Sequence, residues 1–403
     1  MNSYELVKEL TFERIAGTSD ELKALNIIKG KLDELNLESK VEDFKIPYSN
    51  VLEQKLIINN KEVLCNAYLL SGNIDIKDEQ LVVVEAIDNL EYYDLEGKVA
   101  LFLRRINYTV YEKLAKKNVK AIIDLATTLY DRVEDTDLEV RILRDRHLKY
   151  GKIPCLTIRT IDAERVLDFN NTCTIKITQE EQELTSHNLI CELKGKKKDI
   201  ITVTAHYDSV KYSLGAYDNA TGSATILGIL DYLKDKERKY TYRFIWCGAE
   251  ERGLLGSKAH TNNEENLKDV FLNINFDMTA VKLGYDLACV SGDNELVNYI
   301  KTYSREINFP IVVEQDVYSS DSTPFADKGV TAISFARLSY EYGAQIHSRK
   351  DNGLYLYESY YNNTLEFIKK FIDKVEASKI IPFKLEIPKN VKEKIDKYYG
   401  RES

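Results

Sequence analysis

The chain has 403 residues, 44% apolar, 30% charged and 10% aromatic, with only 6 prolines and 18 glycines; this is the composition of a packed globular protein of two or three compact units, and it excludes long disordered or fibrous stretches. Its 56 Lys and Arg against 65 Asp and Glu leave a net charge of −9, which repels nucleic-acid phosphates and anionic membranes. No apolar run approaches the roughly 20 residues of a membrane span and the start, MNSYELVKEL, lacks the basic and apolar regions of a signal peptide, so a soluble, cytoplasmic protein with no nucleic-acid or membrane partner is expected.

Thr18-Ser19-Asp20-Glu21 reads as a capping box, and Leu22, Leu25, Ile28, Leu32 and Leu35 recur behind it at helical spacing; an amphipathic helix to about residue 36 is predicted. Residues 49–183 change to short β-rich runs such as Leu81 to Val84 and Val99 to Leu103, with one helical interlude around Tyr111 to Asn118, and are read as a separate small domain. The six cysteines (Cys65, Cys155, Cys173, Cys191, Cys247, Cys289) are scattered and form no CxxC pair, so they are read as buried free thiols.

From Leu189 strands and helices alternate: Ile200 to Ala205, a helix from Ala220 to Leu233, Tyr242 to Cys247, Leu272 to Phe276, a short helix near Thr323 to Lys328, then Ala332 to Ala336. That alternation predicts an α/β fold with a doubly wound, mostly parallel sheet. A helix from about Tyr357 to Val375 follows, and residues 381–403, rich in Lys and Glu, are expected to lie along the surface as a tail. Lys196 to Lys198 reads as a solvated turn.

In an open α/β sheet the site lies outside the carboxyl ends of the strands. IITVTA ends in His206 with Asp208 two residues on, TYRFIWCGA ends in Glu250 and Glu251, and FLNINF ends in Asp277. Taken singly, each has an ordinary explanation: a surface histidine, a solvated acidic pair, and, for Asp218 or Asn219 in GAYDNATG, a helix cap. Their coincidence at successive strand ends argues for metal ligation. His347, in GAQIHSRKDN after the last predicted strand, is the natural remaining imidazole; His147, His187 and His260 lack such placement and are read as structural or exposed. Two histidines with carboxylates suit zinc, or cobalt and manganese as substitutes, and two ions sharing a carboxylate are typical of hydrolytic sites. Of Glu250 and Glu251, one serves as base and one as ligand.

TAHYDS, GAYDNATGSA, CGAEERGLLGS, NINFDMTA, SSDSTPFADKGVTAISF and IHSRKDN together resemble the zinc aminopeptidases of the family-28 metallopeptidases over about residues 185 to 375, and Arg14 to Ile46 is similar to that family's opening helix and strand. The resemblance implies that His206 and Asp277 hold one zinc, that Glu251 and His347 hold the other, and that Asp218 bridges both. It further implies Glu250 as general acid/base, Asp208 as the residue orienting the His206 ring, and Asp321 as ordering its loop or capping its helix. Residues 49–183 resemble a protease-associated (PA) domain through DLEGKVALFLRR, EKLAKKNVKAIIDL and IPCLTIRTIDAERVL, inserted between residues 1–48 and 184–380 of the peptidase domain. The sequence departs from the family at Ser322, where relatives often have His, at Ser348, where Thr is common, and at Ile346, where some relatives carry an oxyanion-stabilising tyrosine; Tyr318 is the replacement proposed for that tyrosine. The function implied is release of N-terminal residues from peptide substrates. Alternatives are a glutaminyl cyclase-like or carboxypeptidase activity, or a non-catalytic peptide-binding relative. Oligomeric state is not readable from the sequence.

Overall fold

The computed structural model describes residues 1–134, 136–340 and 343–401, and the chain divides into two compact units, Met1–Ile46 with Thr185–Ser403, and Pro47–Leu184. Among the described residues no helix is long and apolar enough to cross a membrane.

The discontinuous unit is built on a sheet whose four central strands run parallel in the order Thr241–Cys247, Ile200–His206, Val270–Phe276, Thr331–Ser339. Every residue of Ile200–His206 is buried, which is what a continuous β-branched run predicts for a strand covered on both faces. Chain order reverses about this strand, so the next strand lies on one side and the later ones on the other. The crevice outside its carboxyl end is therefore the expected ligand site.

One face is covered by Ser19–Glu34, Thr221–Lys234 and Glu358–Ala377, through Leu25, Ile28, Leu227, Leu230, Ile368 and Phe371. A smaller apolar cluster of Ile245, Cys247, Phe325 and Val330 includes the short helix Ser322–Asp327. The sheet is less purely parallel than its motifs suggest. Gly284–Ser291 runs antiparallel beside Thr331–Ser339, with Ile311–Gln315 outside it, and Leu189 to Leu193 runs antiparallel beside Thr241–Cys247.

The opening helix forms without the expected cap. Thr18 makes no side-chain cap bond; its hydroxyl donates to the Ile15 carbonyl at 2.7 Å, and Glu21 accepts from the Gly17 N–H at 2.7 Å and from the Ser186 hydroxyl. Glu21 is fully buried, whereas Leu22 is exposed. The stretch 381–403, read as a surface tail, contains the helix Lys389–Tyr398, whose Val391 and Ile395 are buried against Ala326 and Ala332. Asn390 donates to the Gln315 side chain at 2.8 Å and Lys394 pairs with Asp316 at 3.1 Å along the same helix.

The inserted unit is not simply β-rich. Ile74–Val84, Val99–Phe102, Ala121–Ala126 and Cys155–Arg159 pair in parallel, in that order, with helices Tyr108–Lys116 and Thr160–Val166 between and after them. A buried ion pair marks its core: Arg141 Nη1 donates to Asp124 Oδ1 at 2.6 Å and the Tyr68 hydroxyl donates to Asp124 Oδ2 at 2.6 Å.

All six cysteines are buried and free. Lys196 to Lys198 are exposed.

Candidate metal centre

His206 ends its strand, and twelve residues later Asp218 is presented by a loop that the rest of the unit holds from several sides. The Arg14 guanidinium, fully buried, donates to the backbone carbonyls of Tyr207 (2.6 Å), Phe12, Leu214 and Gly215 (2.8 Å each), and also of Leu10. Gly215 has φ of +59°, and a Cβ there would lie 2.5 Å from Arg14 Nη2 and 2.7 Å from Ser209 Cβ, so only glycine fits. At the loop's far end Asp351 accepts the Tyr217 N–H at 2.7 Å and the Asp218 N–H at 3.1 Å. Asn219 accepts from the N–H groups of Gly222 (2.9 Å) and Met278 (3.1 Å) and donates to the Phe276 carbonyl (2.9 Å), tying the start of Thr221–Lys234 to the exit of the Asp277 strand. The cap in this loop is thus Asn219, which frees the Asp218 carboxylate.

The result is two imidazoles converging on one carboxylate. His206 Nε2 lies 3.2 Å from Asp218 Oδ1 and 3.6 Å from Asp277 Oδ1; His347 Nε2 lies 3.2 Å from Asp218 Oδ2 and 3.0 Å from Glu251 Oε2. His206, Asp218 and Asp277 form one group able to hold a metal ion, and Asp218, Glu251 and His347 form a second. Asp218 belongs to both, with one oxygen in each.

A zinc tetrahedron with bonds of about 2.0–2.1 Å has edges of about 3.4 Å, and the donor separations here bracket that value. Asp277 Oδ1 is buried without a hydrogen-bond partner, a costly arrangement for a carboxylate oxygen unless a cation faces it. Donor type, spacing and this orphaned oxygen all fit a divalent metal pair.

The electrostatics describe the same cluster. Burial disfavours a charged His206, but Asp208, Asp218 and Asp277 outweigh it and raise its pKa well above the ordinary imidazole value. The charge of Glu251 is the main cause of a similar rise at His347. Burial pushes Asp218 up, yet the two imidazoles prevail and hold it below the usual carboxylate range. For Glu250 burial dominates and, with the charges of Glu251, Asp321 and Asp277, raises its carboxyl well above that range.

Glu250 and Glu251 follow Thr241–Cys247 in a loop secured by Asp208, whose Oδ1 accepts the Glu250 N–H at 3.0 Å and whose Oδ2 accepts the Glu251 N–H at 3.2 Å. Asp208 Oδ1 also stands 3.4 Å from His206 Nδ1, outside hydrogen-bond geometry, so Asp208's firm bonds are to the glutamate loop. The Asn188 amide oxygen accepts the Gly248 N–H of that loop (3.1 Å), and its Nδ2 donates to Glu42 Oε2 (2.8 Å). His260 Nδ1 lies 3.0 Å from the same Glu42 oxygen.

Burial raises the pKa of Glu42, but His260 and the Asn188 and Asn266 amides outweigh it and hold the carboxyl at about 2, against an ordinary 4.5. A depressed carboxylate pKa stabilises the fold above pH 4.5 and loses that contribution as pH falls toward 2. Glu42→Gln is therefore expected to cost about 1–2 kcal/mol in urea unfolding at pH 6, after allowance for partial exposure, and almost nothing near pH 2.

Asp321 does not cap its helix: it makes no cap bond, and its Oδ1 accepts from the Ser257 hydroxyl at 2.5 Å, because its side chain turns inward to Leu255–Asn262. Burial pushes it up to about 7. Ser322 occupies a site where hydroxyls satisfy one another: Ser320, Ser322 and Ser334 lie 2.7 to 3.0 Å apart and all are buried. An imidazole there would displace this ring. Ser348 Oγ accepts the Lys350 N–H at 3.3 Å. Tyr318 is half-buried, and burial with the charges of Asp277, Asp218 and Glu250 raises its phenol pKa. Ile346 packs against the main core. His147 Nδ1 accepts the Arg144 N–H and His187 Nδ1 lies 2.8 Å from Asp43; neither belongs to the two ligand groups. Arg14 and Asp351 were not singled out as functional from the sequence; only the position of Asp351, four residues past His347, hints at its part.

The model of Peptidase family M28 matches residues 188–372. Aminopeptidase YwaD of Bacillus subtilis (strain 168) is 33% identical over 338 residues, covering 80% of this chain and 71% of the relative. The chain belongs to peptidase family M28. Solved structures of the family agree along the whole length. BSAP, a zinc aminopeptidase from Bacillus subtilis, superposes with a TM-score of 0.77 at 26% identity, covering 97% of this chain and 98% of that one. An aminopeptidase from Aneurinibacillus sp. strain AM-1 superposes with a TM-score of 0.73 at 25% identity, covering 96% and 95%.

Proposed function

We propose that this chain is a metallo-aminopeptidase with a dinuclear zinc centre, removing N-terminal residues from peptides. The observation that carries the reading is the pair of ligand groups sharing Asp218, with Glu250 adjacent in sequence to one ligand yet outside both groups. The names of its family relatives, a zinc aminopeptidase among them, support the same activity.

His206 and Asp277 would hold one ion, Glu251 and His347 the other, and Asp218 both, with cobalt or manganese as substitutes for zinc. When bound, the ions supply Lewis-acid activation of a water molecule and of the scissile carbonyl. Glu250 takes the proton from the attacking water and returns it to the departing amine. Asp208 fixes the backbone of Glu250 and Glu251 so that base and ligand keep their separate directions. The Tyr318 phenol, kept protonated by burial and by the surrounding carboxylates, donates a hydrogen bond to the oxyanion as it develops. Asp321 orders its loop through Ser257. The free α-amino group of the substrate is a cation suited to an acidic cleft. Within the inserted unit, the course from Val99–Phe102 through Tyr108–Lys116 to Ala121–Ala126 supports reading residues 49–183 as a PA-like domain.

One peptide offered in free, N-acetylated and C-amidated forms to zinc-loaded protein tests the polarity of cleavage. Mass spectrometry is expected to show loss of the first residue from the free and amidated forms and not from the acetylated one. C-terminal trimming, with the amide resistant, would make the protein a carboxypeptidase.

A further inference from the structure

The loops that carry the ligands also carry an exposed apolar surface that ligation leaves unused. Three segments lie side by side. Residues 280–285 follow Asp277, residues 353–357 follow His347, and residues 338–340 end the last central strand. Val281 bridges to Leu356, the Lys282 N–H donates to the Tyr355 carbonyl at 3.3 Å, and the Tyr357 N–H donates to the Ala280 carbonyl at 2.9 Å. On the other side Gly284 and Tyr285 pair with Ser339 and Leu338, and the rings of Tyr285 and Tyr340 are 6.3 Å apart. Across these segments Leu283 and Leu354 (68% each), Tyr340 (64%), Tyr355 (56%), Tyr357 (42%) and Tyr285 (39%) are exposed. Clustered apolar exposure of this kind marks a binding surface.

Its placement and chemistry indicate the occupant. Asp351, two residues before Gly353, holds the backbone of Tyr217 and Asp218, and a Cβ on Gly353 would lie 3.5 Å from the Ala216 side chain. The surface is thus continuous with the loop that presents the shared ligand. Across residues 280–285, 338–340 and 353–357 Lys282 is the one charged residue, its Nζ 4.8 Å from the Tyr357 ring centroid, in a chain that is 30% charged. Two of these segments follow Asp277 and His347 directly in the chain, so they lie where the remaining residues of a peptide can extend from a first residue seated over the metal ligands. Extended chain advances about 3.3 Å per residue, so three residues beyond the cleaved bond cover about 10 Å.

Resting on the aminopeptidase reading, the geometry points to this surface as the docking site for the downstream part of the substrate, selecting peptides with aliphatic or aromatic residues after the second position. The enzyme then discriminates among peptides that share the same N-terminal residue.

The test uses zinc-loaded full-length protein and two pentapeptides, Leu-Ala-Phe-Leu-Tyr and Leu-Ala-Ser-Asn-Gln. The first is expected to have a kcat/KM about tenfold higher, the gain from partly burying two or three apolar side chains. The triple variant Leu283→Ser, Leu354→Ser, Tyr355→Ser is expected to bring that ratio to within about twofold, with metal content and thermal midpoint checking that it folds; Leu354→Ser alone gives a smaller fall if the triple variant does not. Isothermal titration of both peptides into the Glu250→Gln protein reads the same preference without turnover. Equal kcat/KM values for wild type, or an unchanged ratio in the variants, overturns the inference. So does light scattering that finds a wild-type dimer dispersed by the triple variant while the ratio persists, since the surface would then join two copies. Binding preference without hydrolysis would sink the aminopeptidase reading and leave the docking surface standing.

Discussion

Replacing Glu250 by glutamine is expected to leave the metal content at two ions per chain and to lower kcat by about a thousandfold, within the range of about 100 to 10,000 typical of a positioned general base. The substitution keeps the size of the side chain and removes its ability to hold a proton. Glu250 lies in neither ligand group, so the cluster of His206, Asp218, Glu251, Asp277 and His347 remains whole. Glu251→Gln provides the contrast. It alters an oxygen 3.0 Å from His347 Nε2, and its loss of activity should accompany loss of one ion and recover in part at high zinc. Stopped-flow turnover and elemental analysis on the same preparations separate the two. Reversed phenotypes would exchange the roles of the two glutamates.

Asp218→Ala should have the larger effect on metal. Its two oxygens face different histidines, each at 3.2 Å, so on the dinuclear reading its removal takes a ligand from each ion. Zinc content is expected to fall from two to less than one per chain after dialysis, whereas Asp277→Ala should spare the ion at Glu251 and His347. The backbone around Asp218 is held independently by Asp351, Asn219 and Arg14. The variant should therefore fold, and its far-ultraviolet circular dichroism should match wild type.

The five residues of the two candidate metal groups were legible because each stands at a place the sequence marks: three follow apolar runs that read as central strands, one opens a helix, and one follows the last central strand. Strand exits of a parallel sheet converge, so chemistry assigned to them one by one comes together in space. What escaped reading acts through the backbone. Arg14 and Gly215 are 201 positions apart and meet through a carbonyl oxygen, a contact that no periodicity encodes. The antiparallel strand Gly284–Ser291 was obscured by Gly284 and by Asp286, a buried carboxylate paired with Arg337. The helix Asn294–Glu306 did carry a signal, since Asp293 caps it and Leu296, Val297, Ile300 and Tyr303 are its buried side. The capping box at Thr18 failed because the Thr18 hydroxyl turns back to the Ile15 carbonyl and Glu21 accepts the Gly17 N–H, one residue before the cap, and the Ser186 hydroxyl.

Anomalous diffraction from zinc-loaded crystals, recorded on both sides of the zinc absorption edge, tests the dinuclear site most directly. The account predicts two peaks of comparable height, one among His206, Asp218 and Asp277 and one among Asp218, Glu251 and His347. A single peak at saturating zinc, or two peaks of which neither touches Asp218, would contradict it.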